Sequence, residues 1–281
     1  MVSFKASKND ENRSLFKLIC KYFPNLTIAT IEKLFRKKEI KVNSKRITDK
    51  KFVVSENDLV EVYGISESNL NLPQIKKVSF DFQIIYEDAN ILIIDKKENL
   101  VIHGEDNSLD NQVLSYLKHK QVDSFKPSHV GRLDKETSGL IVYAKNYLTL
   151  KQLNEKSFNF KKVYQFKSDF LSSSPLELKL YFYKDENNKT KISKTQKENS
   201  KLAHSIFYCE NNKKFAQIIT GRKHQIRLSL AYLNKPIYGD KKYKGKKSTR
   251  LMLHSYYLKF LNLEDNLKYL NKMEFYSNPK W

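Results

Sequence analysis

Cysteine is scarce in this chain: across 281 residues only Cys20 and Cys209 occur, and they stand far apart. That argues against a disulfide framework, and both are expected as buried thiols in a reducing compartment. No Cys/His pair has the spacing of a zinc site, so no metal is expected. No Gly-rich phosphate loop, internal repeat or low-complexity tract is present, which leaves nucleotide-triphosphate chemistry without support. The N-terminus has no apolar segment like a signal peptide, and no run approaches transmembrane length; the expectation is a soluble, cytoplasmic protein that does not engage membranes. Acidic residues are also few, 31 Asp and Glu against 52 Lys and Arg, for a net charge of +21. Such an excess implies a polyanionic partner, because each neutralised phosphate releases condensed counterions. A biased genome enriches lysine but does not by itself leave the acids so far behind. Nucleic acid is favoured over a membrane surface, since no long amphipathic basic helix is evident.

Residues 13–63 read as a small unit. Leu15, Leu18, Ile19 and Tyr22 recur at helical spacing, as do Ile28, Ile31 and Phe35, with Pro24-Asn25 between the two helices and Thr27 placed to cap the second. Ile40 to Ile47 predicts a tight hairpin turning at Asn43-Ser44, and Leu59 to Tyr63 a closing strand. Lys33, Arg36, Lys37, Lys38, Lys41, Lys45 and Arg46 stud this unit and make a compact basic face. Gly64 to Lys77 is polar and aperiodic and reads as a linker. The expected division is therefore 1–64, a linker over 65–77, and a larger domain over 78–281.

In the larger domain, strands are predicted over Phe82–Tyr86, Ile91–Lys96, Leu140–Ala144, Val163–Lys167, Leu176–Phe182, Ala203–Tyr208 and Phe215–Thr220. Helices are predicted over Ser108–Lys118, Leu148–Lys156 and Arg222–Leu233, and Lys184–Lys201 as a mobile basic loop. Strands outnumber helices with no regular βαβ alternation, which favours an α+β fold: a helix–helix–hairpin domain followed by a domain with a mixed, largely antiparallel sheet.

The most informative segment runs from His129 to Ala144. Asp134 lies in a turn-rich polar loop, two residues past Arg132 and just ahead of the apolar run from Leu140, so it is held by a scaffold and open to a cleft. Gly131-Arg132-Leu133-Asp134-Lys135-Glu136-Thr137-Ser138-Gly139-Leu140 resembles the catalytic motif of the RluA/RluC-type pseudouridine synthases. Further matches follow in order: Tyr86-Glu87-Asp88 with Ile91 to Lys96, Lys162-Val163-Tyr164, Thr220 to Arg227, Asn234 to Asp240, and Arg250 to His254. The sequence departs from the family at Lys97, where a proline is usual, at Lys223 in place of threonine, in Leu228-Ser229-Leu230, and at Gly131 in place of histidine, a feature similar to the RsuA-type branch. Arg13, Leu34–Ile40, Val42-Asn43 and Asn57 to Val60 give the first unit a resemblance to the αL-type (S-four-like) RNA-binding module first known from a small-subunit ribosomal protein.

The resemblance implies isomerisation of uridine to pseudouridine within RNA, with Asp134 as the essential residue, Tyr164 as the active-site tyrosine and Arg227 as partner to Asp134. Breaking N1–C1′, turning the uracil and rejoining it through C5 needs neither redox chemistry nor an energy source, so no cofactor is expected. A carboxylate can serve as nucleophile or as electrostatic partner to the sugar, and the sequence leaves open whether Asp134 attacks it or supports a glycal route. Tyr164 could stack on the extruded uracil and relay a proton. An arginine beside Asp134 keeps the carboxylate ionised and oriented. Arg132 could contact phosphate or fill the gap left by the extruded base, and Arg222, with Lys33, Arg36, Lys37, Lys41, Lys45 and Arg46, is expected to contact RNA. His224 and His129 read as organisers of loops and Glu136 as solvent-facing. The αL-type module points to ribosomal RNA, most of all large-subunit RNA, modified by a monomer. Transfer RNA is the alternative substrate, and a non-catalytic assembly factor or a uracil-releasing N-glycosylase the alternative class.

Overall fold

The computed structural model describes residues 1–66, 78–120, 122–156 and 160–281. Most of the expected linker lies outside them. Two compact units emerge, one of Met1–Val78, Val113–Pro127 and Asn146–Leu148, the other of Ser79–Gln112, Ser128–Lys145 and Thr149–Trp281.

The first unit follows its periodicities closely. Its elements are β1 (Val2–Lys5), α1 (Leu15–Tyr22), α2 (Ile28–Arg36), β2 (Ile40–Val42), β3 (Lys45–Arg46) and β4 (Leu59–Val62), with the strands in the order β1-β4-β2-β3. Thr27 caps α2 by accepting from the Thr30 N–H at 3.2 Å, worth about 1 kcal/mol. Asn43 and Ser44 both take positive φ, 48° and 66°, which is what a two-residue hairpin turn matched to strand twist demands. Leu15, Leu18, Ile19, Ile31 and Phe35 pack with Ile40, Val60 and Val62 into one core. Beneath it Asp10 is fully buried, accepting from Ser7 N and Tyr22 Oη at 2.9 Å each and from both the backbone and the hydroxyl of Ser124. The segment around Ser124 is thus part of this unit, a long-range tie that no local pattern announces.

The second unit is built on an eleven-stranded sheet. Its elements are β5 (Gln83–Glu87), β6 (Ile91–Lys96), α3 (Leu109–Tyr116, continuing into the first unit), β7 (Ser128–Val130), β8 (Ser138–Ala144), α4 (from Tyr147 in the first unit, Tyr147–Glu155), β9 (Lys161–Phe166), β10 (Leu176–Lys184), β11 (Thr190–Ser193), β12 (Lys201–Glu210), β13 (Lys213–Ile218), α5 (Gln225–Tyr232), β14 (Leu253–Lys259), a 3-10 helix over Asp265–Lys272 and β15 (Glu274–Tyr276). The order is β11-β10-β12-β13-β9-β14-β8-β6-β5, with β7 beside β8 and β15 beside β14. All pairings are antiparallel except β8 with β14. The fold is α+β with a mixed, largely antiparallel sheet.

The two apolar runs become neighbouring inner strands, β6 and β8: Ile91–Ile94 and all of β8 are buried, whereas β10 and β12 alternate. β8 can approach β14 only because residue 139 is glycine. It has φ +109°, and a Cβ there would sit 2.3 Å from the Ser255 carbonyl oxygen.

Three expectations from the sequence do not hold. Lys184–Lys201 is not one long loop: β10 runs to Lys184 and β11 returns along it, the turn closed by Asp185, whose carboxylate accepts from Asn187 N at 3.0 Å and Lys189 N at 2.8 Å. The helix expected from Arg222 starts at Gln225, because His224 adopts φ +53° and holds the preceding residues in a loop. Cys20 and Cys209 are half-buried, not buried. Among the described residues, no helix is long and apolar enough to cross a membrane.

Candidate active site

The loop between β7 and β8 delivers Asp134. Gly131 opens it with φ +74°, the Thr137 N–H closes a turn on the Asp134 carbonyl at 3.0 Å, and Thr137 and Ser138 are buried. Lys96, at the end of β6, fastens the loop from below. It is fully buried, and its ammonium donates to the carbonyls of Lys97, Leu100 and Lys135 at 2.8, 2.9 and 3.0 Å. Burial pushes its pKa down to about 8, while three converging carbonyls favour the charged form. Lys96→Met leaves those carbonyls without a donor. It is expected to cost about 3 kcal/mol in denaturant unfolding and to lower turnover more than RNA affinity, since the loop and not the binding surface is released.

Ser138 is held from the other side. It shares a hydrogen bond with His254 Nδ1 at 2.8 Å and accepts from Arg250 Nη2 at 2.6 Å; Arg250 pairs with Glu98 at 2.7 Å. Arg250 and His254 thereby support the loop base, while Leu253 between them lines the cleft described next.

A cleft of about 580 Å³ opens beside Asp134, lined also by Arg132, Lys162, Tyr164, Arg222 and Arg227. This is ample for an extruded nucleoside with its phosphate. Tyr164 projects from β9, nine-tenths buried, and burial and the nearby Asp134 charge push its phenol up to about 12, against a hydrogen bond with Ser255. It is a protonated phenol at neutral pH, able to donate or stack but not to act as a resting base.

Arg227 stands in α5 with every residue from Gln225 to Leu230 buried. Its Nε and Nη2 form a two-pronged pair with Asp240 at 2.7 and 2.9 Å, and Nη1 turns to Glu136 at 3.0 Å and to Asp134 at 3.5 Å. Burial works against the charge, but hydrogen bonds and the field of Asp240, with Glu136 and Asp134, hold the guanidinium well above its ordinary range. Asp134 is thus the most distant of its three carboxylate partners, and Asp240 the anchor. Asp240 is itself buried and also accepts from the Lys242 and Tyr243 N–H groups at 3.1 Å each. Glu136 is not simply solvent-facing: it is part-exposed, with its carboxylate on Arg227.

His224 Nδ1 meets the Tyr243 hydroxyl at 2.8 Å and Nε2 lies 3.7 Å from Asp134. Burial lowers its pKa against the pull of Asp134, so it is neutral near pH 7 and adds no cation to the site. Gln225 locks this loop, accepting from Thr220 Oγ1 and Arg222 N and donating to His204 O and Ser205 Oγ. His129 shares a hydrogen bond with Asp110 at 3.0 Å and takes no part in the cleft.

Of the expected RNA contacts, Arg132 is exposed at the cleft, and Arg222 lines it with Nε committed to the Leu202 carbonyl at 2.8 Å. Lys33, Arg36, Lys37, Lys45 and Arg46 are exposed on the first unit, and Lys41 is half-buried over the Tyr63 ring. The sequence alone suggests no role for Asp240, Lys96 or Ser138, although all three fall inside the family motifs; what Lys96 does depends on a partner 39 residues away.

The family model for RNA pseudouridylate synthase matches residues 90–232. An RNA pseudouridine synthase of Mycoplasma capricolum is 37% identical over 100% of this chain and 99% of its own. The ribosomal large subunit pseudouridine synthase C of Rickettsia felis is 33% identical, covering 95% of each chain. Among solved structures, human RNA pseudouridylate synthase domain containing 4 superposes with a TM-score of 0.56 over 70% of this chain and 89% of its own, at 21% identity, a likeness of fold. The chain belongs to the RNA pseudouridine synthases of the RluA/RluC type.

Proposed function

We propose that this enzyme isomerises uridine in large-subunit ribosomal RNA, with Asp134 as the residue that acts on the sugar. The observation that carries the site is Arg227: clamped by buried Asp240, it presents Nη1 to Asp134 at the wall of a nucleoside-sized cleft. A preorganised cation there aims the carboxylate without reorganisation during the reaction. The substrate reading is supported by the Rickettsia felis relative, which is named for the large ribosomal subunit.

The target uridine leaves its stack to reach the cleft, and Arg132, exposed at the mouth, is placed to contact phosphate or occupy the vacated position. Tyr164 stacks on the uracil. As a neutral phenol it donates a hydrogen bond to base or sugar while N1–C1′ breaks. The uracil then turns, C5 bonds to C1′, the C5 proton leaves to solvent and N1 takes one up. Attack by Asp134 at C1′ and abstraction of the C2′ proton toward a glycal both place the same carboxylate beside the ribose. Incubating unmodified transcripts of large-subunit ribosomal RNA and transfer RNA with the enzyme, then mapping pseudouridine, tests the substrate. Modification confined to transfer RNA would overturn it.

Residues 1–64 are the RNA-binding part in this reading, with Lys33, Arg36, Lys37, Lys41, Lys45 and Arg46 on phosphates. Because Ser124 donates to Asp10, deletion would strip partners from the rest of that unit, so substitution is the cleaner test. Lys33, Arg36 and Lys37 changed together to Ala should weaken binding and flatten the log–log salt slope by about 0.7–0.9 for each phosphate no longer neutralised. An unchanged slope removes that face from the RNA-binding surface.

A further inference from the structure

Lys162 is a cleft cation that has an aromatic ring but no anion beside it among the described residues. It lies two residues before Tyr164 on β9, so both side chains leave the same face of the strand. Its ammonium sits 4.9 Å from the centre of the Phe160 ring, and a side chain on Gly131 would begin 3.9 Å from it, which places it beside the backbone that leads into Arg132 and Asp134. Among the described residues no carboxylate stands within ion-pairing distance of it and no acceptor takes a hydrogen bond from it. The partners of Lys162 in the sheet, Ile218 and Leu258, are apolar. Neighbouring cations are arranged differently: Lys96 has three carbonyls and Arg227 three carboxylates.

A half-buried ammonium facing a cleft with no anion is unfavourable unless the ligand supplies one. Burial alone pushes its pKa down to about 8, so the free enzyme holds this cation at a cost. Uracil and ribose are neutral; the anion that enters with a flipped nucleotide is its phosphodiester.

We propose that Lys162 is the phosphate-binding residue of the cleft, pairing with the phosphodiester adjoining the extruded uridine and so fixing the depth to which the ribose enters beside Asp134. The inference rests on the cleft being the catalytic site. Its role is in binding and register, distinct from the chemical role of Asp134 and from the surface cations of the first unit. A lysine suits the task as a compact point charge that needs no planar acceptor.

The test uses the full-length enzyme with single-stranded oligouridylate for binding and unmodified large-subunit ribosomal RNA for turnover. Lys162→Met keeps the side-chain volume and removes the charge. It should weaken oligouridylate binding, flatten the salt slope by about 0.7 for one single-strand phosphate, and raise KM while kcat stays within a few-fold. Lys162→Arg should restore the slope. In the wild-type protein, which removes any question of a misfolded variant, the Lys162 pKa read by NMR should rise when oligouridylate is added. An unchanged slope with collapsed kcat would put Lys162 on the base or sugar, and an unmoved pKa would show that no phosphate reaches it; either overturns the proposal. Full turnover by Asp134→Asn would instead overturn the site reading beneath it.

Discussion

Asp134→Asn is expected to abolish turnover, by at least about 10³-fold, in line with removal of a reacting group whose neighbours act as a unit with it. RNA affinity should stay within a few-fold. The reason is the geometry of the loop: its conformation is set by the Gly131 turn, by the Thr137 N–H on the Asp134 backbone carbonyl, and by Lys96 on the Lys135 carbonyl. None of these uses the Asp134 carboxylate. Arg227 keeps its pair with Asp240 and its contact to Glu136 when Asp134 is neutralised, so the substitution leaves no buried charge alone. Turnover is read by counting pseudouridine formed per enzyme, affinity by filter binding. A large loss of binding, or an unfolding midpoint well below wild type, would mean that Asp134 is structural.

Arg227→Met should be damaging in a different way. Two of the guanidinium nitrogens bond to Asp240, which is almost wholly buried, and removing the cation leaves that carboxylate, among the described residues, with two backbone donors. Breaking a buried pair from one side costs about 3–5 kcal/mol, so a sharply lower denaturant midpoint is expected together with loss of turnover. Arg227→Lys keeps the charge but cannot hold Asp240 with two prongs while reaching Asp134 with a third nitrogen, and should fold better than the methionine variant while remaining poorly active. The double variant Arg227→Met/Asp240→Leu separates the two effects. It should recover most of the stability, because no lone charge remains, and none of the activity. Recovery of activity would show that the cation acts only on the fold and not on Asp134.

How far the site is legible in the sequence follows from the range over which each residue acts. Asp134, Tyr164 and Arg227 sit inside short contiguous motifs whose residue types already carry their chemistry. The strands that frame them announce themselves as apolar runs, Ile91–Ile94 and Leu140–Ala144, buried on both faces. The first unit is legible for the same reason, since helix spacing, the Thr27 cap and the Asn43-Ser44 turn are all local. β14 gives no such signal, although it lies at the centre of the sheet: its Leu-His-Ser-Tyr-Tyr-Leu-Lys sequence breaks the alternation at a bulge between Ser255 and Tyr257. β11 hides inside a lysine-rich stretch, where composition suggests a loop and only the Asp185 turn hints at a return strand. Asp240 and Lys96 escape because a charged residue in a sequence reads as surface until its partners are known. Here both are buried, and beside their local backbone contacts each has a partner far along the chain, the Lys135 carbonyl for Lys96 and Arg227 of α5 for Asp240.

Release of tritium from large-subunit ribosomal RNA labelled at uridine C5, with wild type and Asp134→Asn side by side, is the decisive measurement. Joining C5 to C1′ expels the C5 hydrogen, so the label reports the completed isomerisation and not binding or simple base loss. Release by the wild-type enzyme and none by Asp134→Asn is the predicted result. Equal release by both, or none from that RNA by a wild-type protein that binds it tightly, would rule out Asp134-dependent isomerisation of large-subunit RNA.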